Sequence, residues 1–210
     1  MQITLLPPEA RYIMAAALFA APNDVAPVLT GVQLETEDGA LRILSSDRKV
    51  AYHALVDADG AEAGTSSLVP AKAVADAVRT LLKTKEPIIL TLEGDSWSLS
   101  AGGQSFAGAT IDGNFPPLRR LFPQEVGPIS AAKWDTAMLV KLEKAAAALG
   151  ASTSQRHWLL AGADSGSTPR LVASHASATV LCQSRRWSPS HQNVPDGTPL
   201  GVGIDVTFRA

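Results

Sequence analysis

Apolar and polar positions alternate with a period of two along much of this chain, interrupted three times by stretches of helical period. MQITLL (1–6) reads as a strand, and Pro7–Pro8 then open a helix to about Ala21 with Tyr12, Ala16 and Phe19 along one side. Strand-type runs follow at 29–37, 40–46 and 49–56, with Asp38–Gly39 as a hairpin signal between the first two. The Asp-, Gly- and Ala-rich stretch 57–66 predicts an exposed loop. SLVP leads into a helix over 71–84, where Val74, Ala77, Val78, Leu81 and Leu82 mark a core-facing stripe. Strands are predicted again at 87–94, 96–102 and 104–112. The order is β-α-β-β-β twice over, an internal duplication of a small α+β unit with both helices on one side of a sheet.

Residues 112–123, DGNFPPLRRLFP, interrupt this order. Pro116 and Pro117 fix φ and lack amide donors, so both strand and helix ladders stop there. Phe115 is an apolar anchor before them, and Arg119 and Arg120 stand between Leu118, Leu121 and Phe122. Such a segment joins two packed units and suits the wall of a groove between them. The pattern then restarts: a strand at 126–130, a helix over 131–149 with Trp134, Met138, Leu142, Ala145 and Leu149 inward, and strands at 157–164, 169–176 and 178–186. RILSSD (42–47) and RLVASH (170–175) occupy equivalent places. GVGIDV (201–206) resembles the strand before a further helix, so the second unit reads as incomplete.

At 210 residues, 46% apolar and 18% charged, the chain can bury one large or two small cores. No apolar run approaches the ~20 residues of a membrane span, and MQITLLPPEA lacks a basic signal-peptide start, which predicts a cytoplasmic protein. The lone Cys182 precludes an internal disulfide or a multi-cysteine zinc site. The four histidines show no metal-ligand spacing, and no nucleophile elbow, phosphate loop or dinucleotide fingerprint occurs. No catalytic residue, metal site or cofactor is therefore expected. A net charge of −2 excludes bulk electrostatic attraction to nucleic acid and leaves only local basic faces. Lys72, Arg79 and Lys83 share one face of the second helix, with Asp76 the dissenting charge, and Lys133, Lys141 and Lys144 cluster on the third. Arg11 adds a cation on the first.

PVLTGVQLETEDGALRILSSD (27–47), SLVPAKAV (67–74) and DGNFPPLRRLFP together resemble the bacterial sliding clamp of DNA polymerase III, whose fold is shared with proliferating cell nuclear antigen. The likeness is densest over residues 27–124, and 126–186 resemble the following clamp domain mainly by element order. The resemblance implies an α+β DNA-clamp fold: a clamp domain at 1–114, a linker at 115–125, and a second clamp domain at 126–210. It implies a non-enzymatic processivity factor that encircles double-stranded DNA, and a homo-oligomeric ring in which two-domain subunits form a trimer, with a dimer as the other option. DNA polymerase and clamp loader would bind through short linear motifs. The shortened alternative is a homologue that closes no ring and acts as an interaction or decoy protein, its missing strands leaving an open sheet edge.

Carried over position by position, the family's peptide pocket corresponds to Leu29, Ser46, Val50, Pro116, Arg120 and Leu121. The DNA-facing set would be Arg11, Lys72, Arg79, Lys83, Lys133, Lys141 and Lys144, since long cationic stems attract phosphates without reading bases. Two departures stand out. The SDRKVA turn is one residue shorter than in the family, with Arg48–Lys49 where a Gly-His-Arg stretch is common. The family also draws pocket residues from its C-terminal strands, which predicts a shallower pocket here or one completed by a neighbour.

Overall fold

Strand β1 (Gln2–Leu5) passes through Leu6 into helix α1 (Pro7–Ala17), whose first two positions are prolines. Their fixed φ suits the first turn, where amide donors have no intrahelical partner. The computed structural model describes residues 1–23, 26–123, 136–163 and 170–183. After a 3-10 turn (Pro27–Thr30) come β2 (Gly31–Glu37), β3 (Ala40–Ser46), β4 (Val50–Asp57) and β5 (Ser66–Pro70). Helix α2 (Ala71–Leu81) leads to β6 (Ile88–Glu93), β7 (Ser96–Ala101) and β8 (Gln104–Ala109). Beyond the linker lie α3 (Thr136–Ala148), β9 (Leu159–Ala163), β10 (Arg170–His175) and β11 (Ala178–Gln183).

The duplicated unit is present, but it does not build a single sheet. β1 leaves its own half to pair with β6 in a four-stranded sheet, β1-β6-β7-β8, while β5 crosses to pair with β2. Each half thus lends its first strand to the other, which makes the two halves one folding unit. The second sheet has seven strands in the order β5-β2-β3-β4-β11-β10-β9. Its junction is the antiparallel pairing of β4 with β11, from Ala54 opposite Ala178 to Val50 opposite Cys182. The edge of β4 is therefore occupied from within the chain.

Alternation of side chains assigns the two faces of this sheet. Ile43, Tyr52, Ala54, Ala173, Val180 and Cys182 join the main core with α1, α2 and α3. Leu44, Ala51, Val172 and Leu181, their sequence neighbours, form a second, smaller core on the opposite face. α1 packs on both α2 and α3, and its buried Ala10, Ala15 and Ala16 are small enough for close approach. Tyr52 is fully buried and stacks on Phe19, with ring centroids 5.3 Å apart.

Several predicted boundaries move. α1 ends at Ala17 rather than near Ala21, α2 tightens into a 3-10 turn over Leu82–Thr84, and β8 stops at Ala109. The 57–66 segment is not simply exposed: Ala58 and Ala61 are buried, and Thr4 and Asp59 exchange backbone hydrogen bonds at 2.8 and 3.0 Å. That contact ties the loop to β1, which periodicity alone could not reveal. The strands expected at 126–130 and 201–206, and the start of the third helix at 131–135, lie outside the described residues. No helix among the described residues is long and apolar enough to cross a membrane.

Candidate functional site

The turn between β3 and β4 supplies one wall of a cleft at the junction of the seven-stranded sheet. Asp47 organises that turn: its Oδ1 accepts the Lys49 and Val50 N–H groups at 3.0 and 2.9 Å. Its Oδ2 accepts from Lys141 Nζ of α3 at 2.6 Å. Ser46 Oγ donates to the Val50 carbonyl at 2.8 Å and accepts the Arg48 N–H at 3.1 Å, which holds Arg48 at φ 76°. Above this turn lies a cleft of about 140 Å³ lined by Ser46, Arg48, Lys49, Val50 and Ala51, with Leu121 from the linker and Leu181 from β11. Leu181 completes it because β11 stands directly beside β4, its Cα partner there being Ala51. The cleft thus takes in part of the second unit of the same chain.

The linker is fastened across the outer face of the sheet. Gly113, at φ +133° with the Val28 methyl 2.6 Å from where a Cβ would stand, turns the chain out of the last strand. Leu118 is buried against Leu44, Ala51, Val172 and Leu181, with Phe115 and Phe122 packed beside it. Arg119 pairs with Glu37 at 3.6 Å. Beneath it the buried Arg42 donates Nε to Glu37 at 3.0 Å and Nη1 to His53 Nε2. The His53 and Phe122 rings lie 5.3 Å apart. Burial, and then the Arg42 and Arg119 charges, push the His53 pKa down to about 4, so the neutral ring accepts the Arg42 hydrogen bond. The Arg42 hydrogen bond pulls the Glu37 pKa below its usual range.

Of the six proposed pocket residues, the structure brings Ser46, Val50 and Leu121 together. Pro116 and Arg120 line a separate, larger groove of about 740 Å³ on the other side of Leu118, facing Gln33, Glu35 and Ser66. Leu29 lines neither: it is 6% exposed in the 3-10 turn before β2, its carbonyl accepting the Ala21 N–H. Sequence reasoning missed Ala51, Leu181 and the Arg42–Glu37–His53 anchor. Leu181 has no local signal, since only the pairing of β11 with β4 carries it to the cleft.

The proposed DNA-facing cations separate in the same way. Lys72 and Arg79 are exposed on α2, yet both reach Asp76, and their hydrogen bonds hold its carboxyl below the usual range. Lys83 is exposed and pairs with no carboxylate among the described residues, and Lys144 is exposed on α3. Lys141, expected to face DNA, is half-buried and reaches Asp47. Arg11 is half-buried and donates to the Ala148 carbonyl at 3.3 Å, where it complements the C-terminal end of α3. Lys133 lies outside the described residues. Leu139 and Val140 are exposed beside Lys144, so the outer face of α3 is only partly cationic. Elsewhere, Ser45 donates to the Ala16 carbonyl at 2.7 Å, and buried Cys182 has its thiol pushed up to about 12 by desolvation. No group of three or more His, Cys, Asp or Glu among the described residues is placed to hold a metal ion.

Residues 9–117 match the family model for the central domain of the DNA polymerase III beta subunit. The chain belongs to that family. It is 30% identical over 139 residues to the beta sliding clamp of Micrococcus luteus, covering 64% of this chain and 44% of the relative. It is 29% identical over 127 residues to the beta sliding clamp homolog GriR of Streptomyces muensis, covering 59% and 34%. The chain thus spans between a third and a half of the length of these curated relatives. Among solved structures, the sliding clamp of Pseudomonas aeruginosa with ligand superposes at TM-score 0.68 with 15% identity, covering 89% of this chain and 66% of that one. The DNA polymerase III beta subunit of Borrelia burgdorferi, in complex with a natural product, gives 0.69 and 12%, covering 90% and 63%. These likenesses establish the α+β DNA-clamp fold. The strand exchange between halves and the helices gathered on one face are its local expression in this beta-subunit family member.

Proposed function

We propose that this protein is a DNA sliding clamp, a non-enzymatic processivity factor that encircles duplex DNA and tethers a replicative DNA polymerase. The observation that carries this reading is the unbroken seven-stranded sheet, with helices on one face and the linker and its cleft on the other. Such a wall can present helices to a DNA backbone while leaving the opposite face to partners. Lys72, Arg79, Lys83 and Lys144 are the exposed cations suited to exchangeable phosphate contacts, and Asp76 keeps those of α2 weak enough for sliding. Retention then depends on topology more than on contact energy, which accommodates a net charge of −2.

In this reading residues 1–114 form one clamp domain, 115–125 the linker and 126–210 part of a second. Subunits close the ring as a trimer or dimer, in the cytoplasm, with the help of a separate loader. The cleft over Ser46, Val50, Leu121 and Leu181 receives an apolar side chain from polymerase or loader peptides. The test is retention on nicked circular DNA followed by linearisation. Release on linearisation supports the ring, and equal retention on both forms refutes it.

A second reading is supported by the inward turn of Lys141 and the exposed Leu139 and Val140 on α3. Among the described residues, a helix face with Lys144 as its exposed cation beside Leu139 and Val140 suits a homologue that engages clamp partners without encircling DNA. A stable monomer by light scattering at micromolar concentration favours this reading over the ring.

A further inference from the structure

The sheet edges are not treated alike. β1 is covered on its outer side, where Thr4 and Asp59 exchange backbone hydrogen bonds. β5 is covered by Ile111, whose N–H donates to the Leu68 carbonyl at 2.7 Å. β8 is the other edge of the four-stranded sheet, and among the described residues nothing pairs with its outer side. Exposed edges are ordinarily blunted by lysine, proline or a bulge. β8, QSFAGA, carries no charge and no proline, and it pairs with β7 without a bulge from Ala101 opposite Gln104 to Ser96 opposite Ala109. Phe106 packs against the main core, so alternation sets Gln104 and Gly108 on that same face. Ser105, Ala107 and Ala109 are exposed on the other. Opposite Gly108 stands Trp97, 3% exposed, its Nε1 lying 3.0 Å from where a Gly108 Cβ would be. That indole N–H is buried and has no acceptor among the described residues, a state that costs free energy until an acceptor is supplied. Gly108 has no side chain with which to supply one.

We propose that β8 pairs antiparallel with β8 of a second copy, about a two-fold axis at Phe106. In this register Phe106 lies opposite its own symmetry mate, and Gln104 of each copy lies opposite Gly108 of the other. The core faces of the two sheets stay on one side, and two aromatic rings meet at the axis. Gln104 is exposed in the single chain and places a side-chain carbonyl beside the glycine gap. A small tilt of the indole then lets that carbonyl accept the Trp97 N–H, and the two-fold axis repeats the bond. The strand has no charge, so no like charges meet across the axis. Such a contact is isologous and closes with two copies, whereas a head-to-tail ring requires a heterologous one. The pairing therefore goes beyond both functional readings above and depends on neither.

The experiment is sedimentation velocity of the full chain over a concentration series, with cross-linking of Ala107→Cys by a short bismaleimide. Ala107 is exposed, and the two copies of it are diagonal neighbours across the axis, roughly 7–8 Å apart. Cys182 is buried, so the unmodified chain serves as the cross-linking control. The expected result is a reversible dimer, and a covalent dimer from Ala107→Cys alone. Ala107→Lys, which sets like charges beside each other on the outer face, should leave a folded monomer. Gln104→Leu should weaken the dimer about tenfold, the scale of the hydrogen bonds it removes. A monomer at every concentration overturns the pairing, as does association that Ala107→Lys leaves unchanged. Association lost in Ala107→Lys, but without cross-linking of Ala107→Cys, marks β8 as a head-to-tail join and overturns the two-fold register. Unchanged dimer affinity in Gln104→Leu overturns the bond to Trp97.

Discussion

Lys141 Nζ lies 2.6 Å from Asp47 Oδ2, joining the helix after the linker to the hairpin turn before it. Both side chains are partly buried, at 32% and 15% exposed, so salt screens the pair less than an exposed one. Asp47→Ala should destabilise the protein by about 2–3 kcal/mol, since it strands Lys141 and frees two turn N–H groups. Lys141→Met, which leaves the turn bonds intact, should cost less. Chemical denaturation of both variants checks the order, and equal losses would show that the turn bonds contribute nothing.

His53 predicts a pH dependence. Its folded pKa, about 4, lies below its ordinary value of 6.5, so the unfolded chain binds the extra proton between those values. Stability is fully present above pH 6.5 and falls as the pH drops from there toward 4. His53→Gln keeps an acceptor for Arg42 and should flatten that slope. Urea midpoints measured at intervals between pH 4 and 8 test this; an unchanged slope would move the cause to other groups. Glu37, held low by Arg42, adds its own loss only at the acidic end.

Leu118 fastens the linker to the outer core at 4% exposure. Leu118→Ala should cost about 2–4 kcal/mol and raise protease sensitivity within residues 112–123. Limited proteolysis followed by mass spectrometry locates the cut. Cleavage confined to other segments would contradict a linker docked mainly through this side chain.

Leu121 and Leu29 should separate cleanly. Leu121 is 43% exposed at the cleft, so Leu121→Asp should abolish binding of a polymerase-derived peptide with little change in melting temperature. Leu29, 6% exposed and outside the cleft, should respond to the same change by losing stability, on the scale of burying an unpaired charge. Calorimetry and peptide titration on both variants decide the matter. Peptide loss in a stably folded Leu29→Asp protein would return that residue to the site.

Lys83→Glu should weaken retention on circular DNA more than Lys141→Met does, because Lys83 is exposed and unpaired among the described residues while Lys141 is engaged with Asp47. Filter retention at 50 and 200 mM salt provides the comparison.

The hairpin turn and the proline break were legible along the chain from local chemistry, whereas Ser46, Val50 and Leu121 could be named as cleft residues only through the resemblance to the clamp family. Leu29, named through the same resemblance, lies outside the cleft, and an apolar residue beside a strand looks the same in sequence whether it lines a cleft or fills the core. Lys141 misled for a related reason: helical spacing places a lysine on a face but does not say whether a carboxylate distant in sequence waits there. Arg42 carried no local signal, and His53 was weighed only as a metal ligand, since a polar residue within a strand ordinarily points to solvent. Here both are covered by Arg119 and Phe122 of the linker.

By itself the sequence determined the repeated helix-and-strand order and the position of the linker, since periodicity, turn chemistry and proline are local properties, and the likeness of its segments to the clamp family determined the family. Only the tertiary structure decided that β1 and β5 trade sheets, that β11 closes the edge of β4, and that Leu181 completes the cleft. Those outcomes depend on which of several equally competent strand edges pair, and that choice is made by packing between segments far apart in the chain.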